Sequence, residues 1–419
     1  MDVIQASIPL FFVLIGLELL VARIRGQKLY RLNDSIADLS CGTASQLLGV
    51  FVTLGTVMLY GAVQRHWSIQ TLFGAPAWIA HGLLPWALAF VLDDLAYYWV
   101  HRCSHESNIL WAGHVVHHSS EEYNLTVALR QSSLHGLIGW IFYMPLALLG
   151  IPVTVWAVCH AVNLVYQFWI HTREIGRLPV PIEAVMNTPS HHRVHHGVNP
   201  QYQDRNYAGV FIIWDRLFGT FEPEVEEPVY GITKPLASWN PVWANLHVIR
   251  DIVHNVRRAT RWGDKLRIIF GRPGWKPAEL GPSETPRPVT PETYRKFDPP
   301  VPGSLKAYAT TQFIVVVIAS TMLTGRAATL PAAELMAGVF YLVLALSNIG
   351  AIFEGRSWAA LSEFVRLVAL GVAVAALAAA GRGPTTLLLG ALVFTAVSAW
   401  WILWLRPAFA LVPEPGQIS

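Results

Sequence analysis

The sequence predicts an all-α integral membrane protein, in which a bundle of transmembrane helices is capped by a cytoplasmic helical domain rich in histidine. Three observations predict this class. Hydrophobic residues make up 53% of the 419 residues and charged residues only 14%, whereas soluble domains carry about 25% charged residues. Long apolar stretches recur at lengths that can cross a hydrocarbon core of about 30 Å. The 16 histidines are mostly clustered.

This composition excludes several classes of protein. The low charged fraction argues against a soluble enzyme or a disordered chain. The three cysteines, Cys41, Cys103 and Cys159, are far apart and odd in number, so they cannot form a complete disulfide framework. The formal net charge of +3 is too small to indicate nucleic acid binding, and we expect no nucleic acid partner.

Nine stretches are candidates for membrane-spanning helices, because each provides close to the roughly 20 apolar residues that a span requires. They cover residues 3–22, 40–63, 80–100, 134–150, 152–170, 306–324, 333–353, 361–380 and 385–405. Gly150 and Pro152 separate the fourth stretch from the fifth, and we predict a helical hairpin there. The third stretch contains Asp93 and Asp94. Carboxylates at membrane depth are costly and are usually functional.

The basic residues predict which side of the membrane each loop faces. If the spans alternate, loops 23–39, 101–133 and 171–305 share one side and together hold 23 of the 30 Lys and Arg residues. The positive-inside rule makes that side cytoplasmic. The histidine clusters lie in the second and third of these loops, so they can meet. The alanine-rich and arginine-rich sequence is typical of a bacterial inner-membrane protein.

The positions of the polar segments predict that the chain is divided into three parts. Residues 1–272 contain the first five spans, with a cap formed by 101–133 and 171–272. Nine prolines within residues 273–302 indicate an extended linker, which we place at 273–305. Residues 306–419 hold the last four spans. Within the cap, residues 241–270 are amphipathic, which is typical of a helix on a membrane surface or of an ordinary globular helix.

Eight histidines occur at spacings that place side chains on one face of a helix, since residues i, i+3 and i+4 are neighbours there. The first cluster is HxxxH and the other two are HxxHH. They comprise His101 and His105, then His114, His117 and His118, and then His192, His195 and His196. We predict that these imidazoles converge at the cytoplasmic end of the bundle. His171, at the end of the fifth span, is a candidate ninth member.

This number of imidazoles suits two metal ions. Imidazole binds iron, zinc, copper and nickel, so the residue type alone does not choose the metal. Redox chemistry requires iron or copper, since zinc has no redox activity. An HExxH motif, typical of hydrolytic zinc sites, is absent from the sequence. An all-imidazole site beside lipid therefore favours oxidative attack on a lipid C–H bond.

Neighbouring polar side chains are candidates to accept an imidazole N–H and fix the rings. They are Asp94, Glu106, Asp204, Asn206 and Asp215. Asp94 lies two helical turns before His101. The alternative is that the acidic residues pair with Arg102, Arg205 or Arg216. The sequence leaves both open.

The order of the three motifs resembles the fatty acid hydroxylase (sterol desaturase) superfamily of membrane oxygenases. Longer sequence segments around the motifs are similar to the alkylglycerol monooxygenase family within this superfamily. These are YWVHR at 98–102, HHSSEEYN at 117–124, NTPSHHRVHHG at 187–197 and WDRLFGTFE at 214–222. Weaker similarity continues into the C-terminal spans.

The resemblance implies a fold, an activity and cofactors. It implies that residues 1–272 form a membrane catalytic domain of the fatty acid hydroxylase type. It further implies a monooxygenase that cleaves the ether bond of alkylglycerols to a fatty aldehyde and glycerol, with O2, tetrahydrobiopterin and two iron ions. Zinc is an alternative occupant in isolated protein. The eight motif histidines carry over as metal ligands, and His171 lies in a similar context (FWIHT).

Two alternatives stay open at this stage. One is a fatty acid or sterol hydroxylase or desaturase of the same superfamily, which takes electrons from a reductant protein instead of a pterin. The more remote one is a membrane transporter or metal-binding protein without enzymatic activity. The histidines cluster at the membrane face, whereas transporter sites lie near the midplane.

Overall fold

The computed structural model describes residues 3–76, 78, 82–283, 289–382 and 384–411. Within these ranges the chain forms helices and loops, and its only β pairing is two isolated bridges, Met186–Phe211 and Gly197–Tyr230. The chain divides into two compact units. The first comprises Met1–Leu236 and Ala244–Lys296, and the second comprises Ala237–Trp243 and Phe297–Ser419.

The first unit contains the N-terminal membrane helices and the histidine motifs. Its helices are α1 Val3–Ile24, α2 Leu32–Trp67, α3 Ile69–Phe73, α4 Leu83–Glu106, α5 Asn108–Ala112, α6 Val115–His118, α7 His135–Gly139, α8 Met144–Leu148, α9 Val153–Trp169, α10 Val180–Val185, α11 Pro189–His195, α12 Ile213–Phe218, α13 Pro241–Arg258 (whose first three residues are assigned to the second unit) and α14 Trp262–Phe270. Short 3-10 turns lie at Val127–Leu129, Trp140–Tyr143 and Ala278–Leu280.

Seven helical segments of the described chain are long and apolar enough to cross a membrane. They are Ala6–Ile24, Leu32–Phe73, Leu83–Glu106, Gly303–Thr324, Ala332–Phe353, Ala359–Ala379 and Thr385–Trp404. The prediction of an all-helical multi-pass membrane protein is therefore confirmed, with seven such segments in place of the nine expected.

The two predicted spans at 134–150 and 152–170 account for the difference. The first consists of α7, a 3-10 turn and α8, and the second is α9, with only 17 residues. At 1.5 Å per residue α9 is about 25 Å long, less than the hydrocarbon core. Gly150, with φ of 78°, and Pro152 lie in the turn between α8 and α9. The predicted helical hairpin is present, but it is too short to cross twice.

The second predicted span begins earlier than the hydropathy indicated. Helix α2 starts at Leu32, eight residues before the predicted 40–63. Its first turns contain Asn33, Asp34, Asp38 and Ser40, all buried. Polar residues there lower the local hydropathy and are typical of a loop, yet they are buried against protein partners instead of lipid. Sequence hydropathy cannot separate these two environments.

Helix α13 tests the two interpretations of the amphipathic segment. Ile252 on α13 belongs to a buried apolar cluster with Ala112, Ala259 and Ile268. Ile249 and Val256 pack against the same cluster. These residues pack within the unit, as in an ordinary globular helix, whereas Leu246 and Val253 of the same apolar face are exposed.

The second unit contains four membrane-length helices and a short terminal one. They are α15 Gly303–Thr324, α16 Ala332–Phe353, α17 Ala359–Ala379, α18 Thr385–Trp404 and α19 Arg406–Phe409. Its interior holds a buried ion pair, Glu363 and Arg366. Tyr308 and Asn348 donate hydrogen bonds to the same carboxylate at 3.0 and 3.1 Å. A charged pair at this depth is tolerated because each group is paired and hydrogen-bonded.

The predicted linker at 273–305 is described in part. Residues 284–288 lie outside the described residues. After them, Tyr294 donates a hydrogen bond to Glu121 at 3.2 Å, and Lys296 pairs with Glu122 at 2.7 Å. This part of the proline-rich segment is therefore anchored to the first unit by its side chains.

Candidate metal centre

Four short pieces of the first unit carry the predicted histidines. His101 and His105 lie on the last turns of α4. The second motif forms α6 and the residue before it, and the third forms α11 and the residue after it. His171 follows the end of α9. The membrane-length helix α4 and the shorter α9 therefore bring two of these pieces to the same place as the loops between them.

All nine predicted histidines meet, and they form two groups. In each group, one ring nitrogen from every residue lies within 4.8 Å of the others. The five-histidine group comprises His101, His105, His114, His118 and His195, and the four-histidine group comprises His117, His171, His192 and His196.

The groups do not follow the motifs, because each HxxHH motif contributes to both. His117 and His118 are adjacent in sequence but belong to different groups, and so do His195 and His196. Consecutive residues on a helix point about 100° apart. Two neighbouring imidazoles on one helix can therefore serve two neighbouring ions, and the paired HH is what makes the two groups adjacent.

In the five-histidine group the Nε2 atoms face one another at short range. His114 Nε2 lies 2.9 Å from His101 Nε2 and 3.0 Å from His118 Nε2. His195 Nε2 lies 3.1 Å from His118 Nε2. In the four-histidine group, His171 Nε2 lies 3.2 Å from His117 Nε2 and 3.0 Å from His192 Nε2.

The other ring nitrogen decides what these short distances mean. Four Nδ1 atoms lie against backbone carbonyl oxygens: His101 to Tyr207 at 2.7 Å, His117 to Arg130 at 3.1 Å, His171 to Gln167 at 2.7 Å and His195 to Arg205 at 2.9 Å. A carbonyl oxygen only accepts, so each of these Nδ1 atoms carries the proton. In a neutral ring Nε2 then presents a lone pair.

Two such lone pairs cannot hydrogen-bond to each other. The Nε2 atoms of His117 and His171 both present lone pairs, 3.2 Å apart, and this arrangement is repulsive unless a cation lies between them. Around a metal with bonds of about 2.1 Å, adjacent octahedral ligands are about 3 Å apart. The donor set and its spacing therefore fit a metal ion in each group.

Burial favours the neutral, metal-binding form of the buried imidazoles. Burial, together with the neighbouring histidines, lowers the pKa of His114, His118, His192 and His196 well below the ordinary 6.5. Burial lowers the pKa of His171 to about 3. Deprotonated ligands require no proton release when a metal binds.

Two of the candidate partners act on a ligand through a loop. Asp215 accepts hydrogen bonds from the backbone N–H groups of Tyr207 and Ala208 at 2.8 and 2.9 Å. Asp94 accepts from the backbone N–H groups of Val210 and Phe211 at 2.8 and 3.0 Å. The carbonyl of Tyr207 accepts from His101, so both carboxylates fix the loop that orients this ring.

The other candidates have different partners. Glu106 pairs with Arg102 at 3.2 Å, which is the alternative that the sequence left open. Asn206 donates to the carbonyls of His191 and Glu222, at 3.1 and 2.8 Å. Asp204 Oδ1 lies 3.6 Å from Nδ1 of His105, beyond an ordinary hydrogen bond.

Arg130 is a positioning residue to which the sequence assigned no role. Its side chain is buried, pairs with Asp38 at 3.1 Å and donates to the carbonyl of Val116 at 2.7 Å. Its own carbonyl accepts from Nδ1 of His117. Arg130 thereby ties helix α2 to the four-histidine group. An isolated arginine in a loop gives no sequence signal for this role.

The fold and the two groups together define a multi-pass membrane protein with two histidine groups that could each hold a metal ion. Residues 86–220, which contain all nine histidines, match the family model described as fatty acid hydroxylase. Residues 305–381 match the model described as the alkylglycerol monooxygenase C-terminal domain.

Curated relatives extend the similarity to most of the chain. The alkylglycerol monooxygenase of Xenopus tropicalis is 40% identical over 369 residues, which is 87% of this chain and 80% of that protein. The Homo sapiens protein of the same name is 41% identical over 368 residues, 87% of this chain and 81% of its own length. An ornithine lipid hydroxylase of Rhizobium tropici is 29% identical over 43% of this chain and 60% of its own. No solved structure matches the chain.

The chain belongs to the alkylglycerol monooxygenase family. It is therefore an oxygen-dependent oxidoreductase of the membrane, and the family resemblance seen in the sequence is confirmed. This membership removes the support for a transporter or a non-enzymatic metal-binding protein.

Proposed function

We propose that the protein is a di-iron monooxygenase that hydroxylates a lipid C–H bond, and that its substrate is an alkylglycerol. The observation that carries the metal assignment is the pair of histidine groups, in which neutral imidazoles direct lone pairs at one another. The nine histidines are the proposed ligands, five for one ion and four for the other. The substrate class is proposed from the names of the relatives that match 87% of the chain.

Iron is preferred because the reaction requires redox chemistry. Imidazole ligands suit iron, copper and zinc alike, but zinc is redox-silent. Iron bound by these residues would supply the electron transfer that activates O2. Zinc could occupy the same nitrogens in isolated protein without supporting the reaction.

The residues of the chain position the reaction and keep the ligands in one protonation state. Backbone carbonyls fix four imidazoles by accepting from Nδ1. Asp215 and Asp94 hold the segment that carries one of these carbonyls, and Arg130 carries another. Eight of the nine imidazoles are buried, which excludes bulk water from them. We propose that α4 and the hairpin at 135–169 hold the alkyl chain, because Leu88 and Val162 expose apolar side chains there.

The proposed products follow from the chemistry of an ether. The carbon next to the ether oxygen has a weakened C–H bond, because the oxygen lone pair stabilises a radical at that carbon. Hydroxylation there gives a hemiacetal, which separates into a fatty aldehyde and glycerol. We propose tetrahydrobiopterin as the electron donor, on the basis of the family resemblance.

We also propose that the histidine groups face the cytoplasm of a bacterial inner membrane. Most Lys and Arg residues lie in the same loops as the histidines, which supports that orientation. The short hairpin supports it further, because a hairpin that does not cross leaves its two ends on one side.

An aldehyde-release assay tests the proposal. Purified protein in detergent receives ferrous iron, O2 and an alkylglycerol, with and without tetrahydrobiopterin. Aldehyde formed only with the pterin is the expected result. The second candidate is a hydroxylase for another lipid, favoured by the similarity to the ornithine lipid hydroxylase and to a human lathosterol oxidase, 24% identical over 31% of the chain. Absence of aldehyde from iron-loaded protein, with a hydroxylated fatty acid or sterol formed instead, would select that candidate.

A further inference from the structure

Helix α14 carries apolar side chains on two opposite faces. Ile268 is buried in the apolar cluster that α14 shares with α5 and α13. Trp262, Leu266 and Phe270 are instead exposed, by 78%, 55% and 62%. Residues four apart lie on one face of a helix, so these three form an apolar stripe. Successive residues are about 100° apart, so Leu266 points about 160° away from Ile268. The apolar stripe therefore faces away from the interior of the unit.

The position of α14 within its unit relates the apolar stripe to the membrane. Asn108 lies two residues beyond Glu106, where α4 ends. Its backbone N–H donates to the carbonyl of Gly271 at 2.8 Å, and its side chain donates to the carbonyl of Ile268 at 2.9 Å. Helix α4 has 24 residues and is about 36 Å long, whereas the hydrocarbon core is about 30 Å thick. These hydrogen bonds therefore hold the end of α14 near the depth of the lipid head groups, on the side of the histidine groups.

The charge around the apolar stripe is strongly positive. Residues 257–272, the basic segment, contain six basic residues but a single acidic one, Asp264. Lys265 Nζ lies 4.9 Å from the centre of the Trp262 ring, so its apolar stem follows the indole while its charge stays available. A helix with Trp, Leu and Phe on one face and Lys or Arg beside them is typical of binding to the surface of an anionic membrane. The six basic residues are Arg257, Arg258, Arg261, Lys265, Arg267 and Arg272.

We propose that α14 docks on the leaflet that faces the histidine groups, with its apolar stripe among the acyl chains and the basic segment on the phosphates of anionic phospholipids. The proposal goes beyond the oxygenase reaction and does not depend on its substrate. Six cations against one carboxylate select an anionic lipid over a zwitterionic one. Each cation near such a surface favours the docked state about fivefold.

A fluorophore on α14 tests this contact in full-length protein reconstituted in lipid nanodiscs. Leu266→Cys carries an environment-sensitive label, in a Cys103→Ser background because the other two cysteines are buried. Val225→Cys is the matched control. Val225 is also exposed (68%), but its neighbours are acidic and would be repelled by the same lipid. They are Glu222, Glu224, Glu226 and Glu227.

The readout is quenching of the label by a quencher attached to lipid acyl chains. The discs contain phosphatidylcholine alone or phosphatidylcholine with phosphatidylglycerol as the anionic lipid. We expect strong quenching at position 266 with the anionic lipid, weaker quenching with phosphatidylcholine alone, and no quenching at position 225 with either. A melting temperature like that of unlabelled protein shows that each labelled variant is folded.

A second pair of variants tests the role of charge. Arg261→Gln combined with Lys265→Gln should lower the ratio of docked to undocked α14 about 25-fold in anionic discs, since two cations are lost. Raising the salt concentration should weaken docking in the same direction. Arg326→Gln combined with Arg406→Gln is the control, because it removes two exposed cations from the second unit. We expect it to leave the quenching at position 266 unchanged.

Three results would overturn the proposal. Equal quenching at positions 266 and 225 would show that α14 has no particular contact with lipid. Equal quenching at position 266 in neutral and anionic discs would remove the role of the basic segment. Energy transfer between two copies labelled at position 266, without quenching by the lipid, would assign the apolar stripe to a second copy of the chain instead of the membrane.

Discussion

Replacing His171 with alanine should remove one of the two proposed metal ions and leave the other in place. His171 stands outside the three histidine motifs, and it is central to the four-histidine group. Its Nε2 lies within 3.2 Å of His117 Nε2 and 3.0 Å of His192 Nε2. The five-histidine group contains no atom of His171. A loss confined to one ion is therefore expected.

The size of the effect follows from the ligand count. The variant leaves three imidazoles where there were four. Loss of an outer partner of a ligand costs about 10–100-fold in metal affinity, so loss of the ligand itself should cost at least about 100-fold. If both sites have similar affinity and free iron is held at ten times the parent Kd, occupancy of the affected site falls from about 90% to about 10%. The metal content of the protein should fall from about 1.8 to about 1.0 ions.

Metal analysis after dialysis against buffered ferrous iron measures this change, and thermal unfolding with and without iron provides a second readout. His135→Ala is the matched control, since the His135 ring lies 6.0 Å from that of His114 but His135 belongs to neither group. We expect the control to keep about 1.8 ions. Retention of two ions by His171→Ala, or loss of an ion from the control, would refute the assignment of His171.

Three further predictions follow from the surroundings of the site. Asp215→Asn should lower metal affinity about 10–100-fold, because it disturbs the Tyr207 loop; Asp264→Asn, on a helix without ligands, should have no effect in the same metal analysis. Arg130→Met should destabilise the protein by about 3–5 kcal/mol in thermal unfolding, since it leaves the buried Asp38 carboxylate uncompensated; an unchanged melting temperature would contradict this. Metal-free protein should lose stability on acidification. Histidines whose pKa in the folded protein lies below 6.5 bind fewer protons there than in the unfolded chain. Each therefore lowers the free energy of unfolding by about 1.4 kcal/mol for every pH unit below about 6.5. A melting temperature that is constant between pH 7.5 and 5.5 would count against buried neutral imidazoles.

The sequence alone was sufficient for the class of protein and for the identity of the converging histidines. Apolar stretches of about 20 residues are a local property, as are i, i+3 and i+4 spacings, and neither depends on what lies far away in the chain. The sequence segments around the histidine motifs also indicated the family. His171 could be suspected because it follows a predicted span and lies in the same predicted loop as the third histidine motif.

Hydropathy was misleading where burial came from protein instead of lipid. Asp34 and Asp38 made the start of α2 resemble a loop, yet both are buried in the helix, and Asp38 pairs with Arg130. The hairpin at 135–169 is apolar like a span, but a 3-10 turn and Gly150 keep its helices short. These features depend on long-range partners and on backbone geometry, which composition does not record.

The sequence by itself determined that nine imidazoles would be available at one end of a membrane bundle. Only the tertiary structure decided how they divide into five and four, because the direction of each ring depends on how α4, α6, α9 and α11 are placed against one another. It also decided which nitrogen faces inward, since the carbonyls of Tyr207, Gln167, Arg130 and Arg205 are supplied by segments distant in the sequence or by the helix backbone itself. Spacing specifies which residues share a helix face, whereas a metal site requires several faces to point at one place.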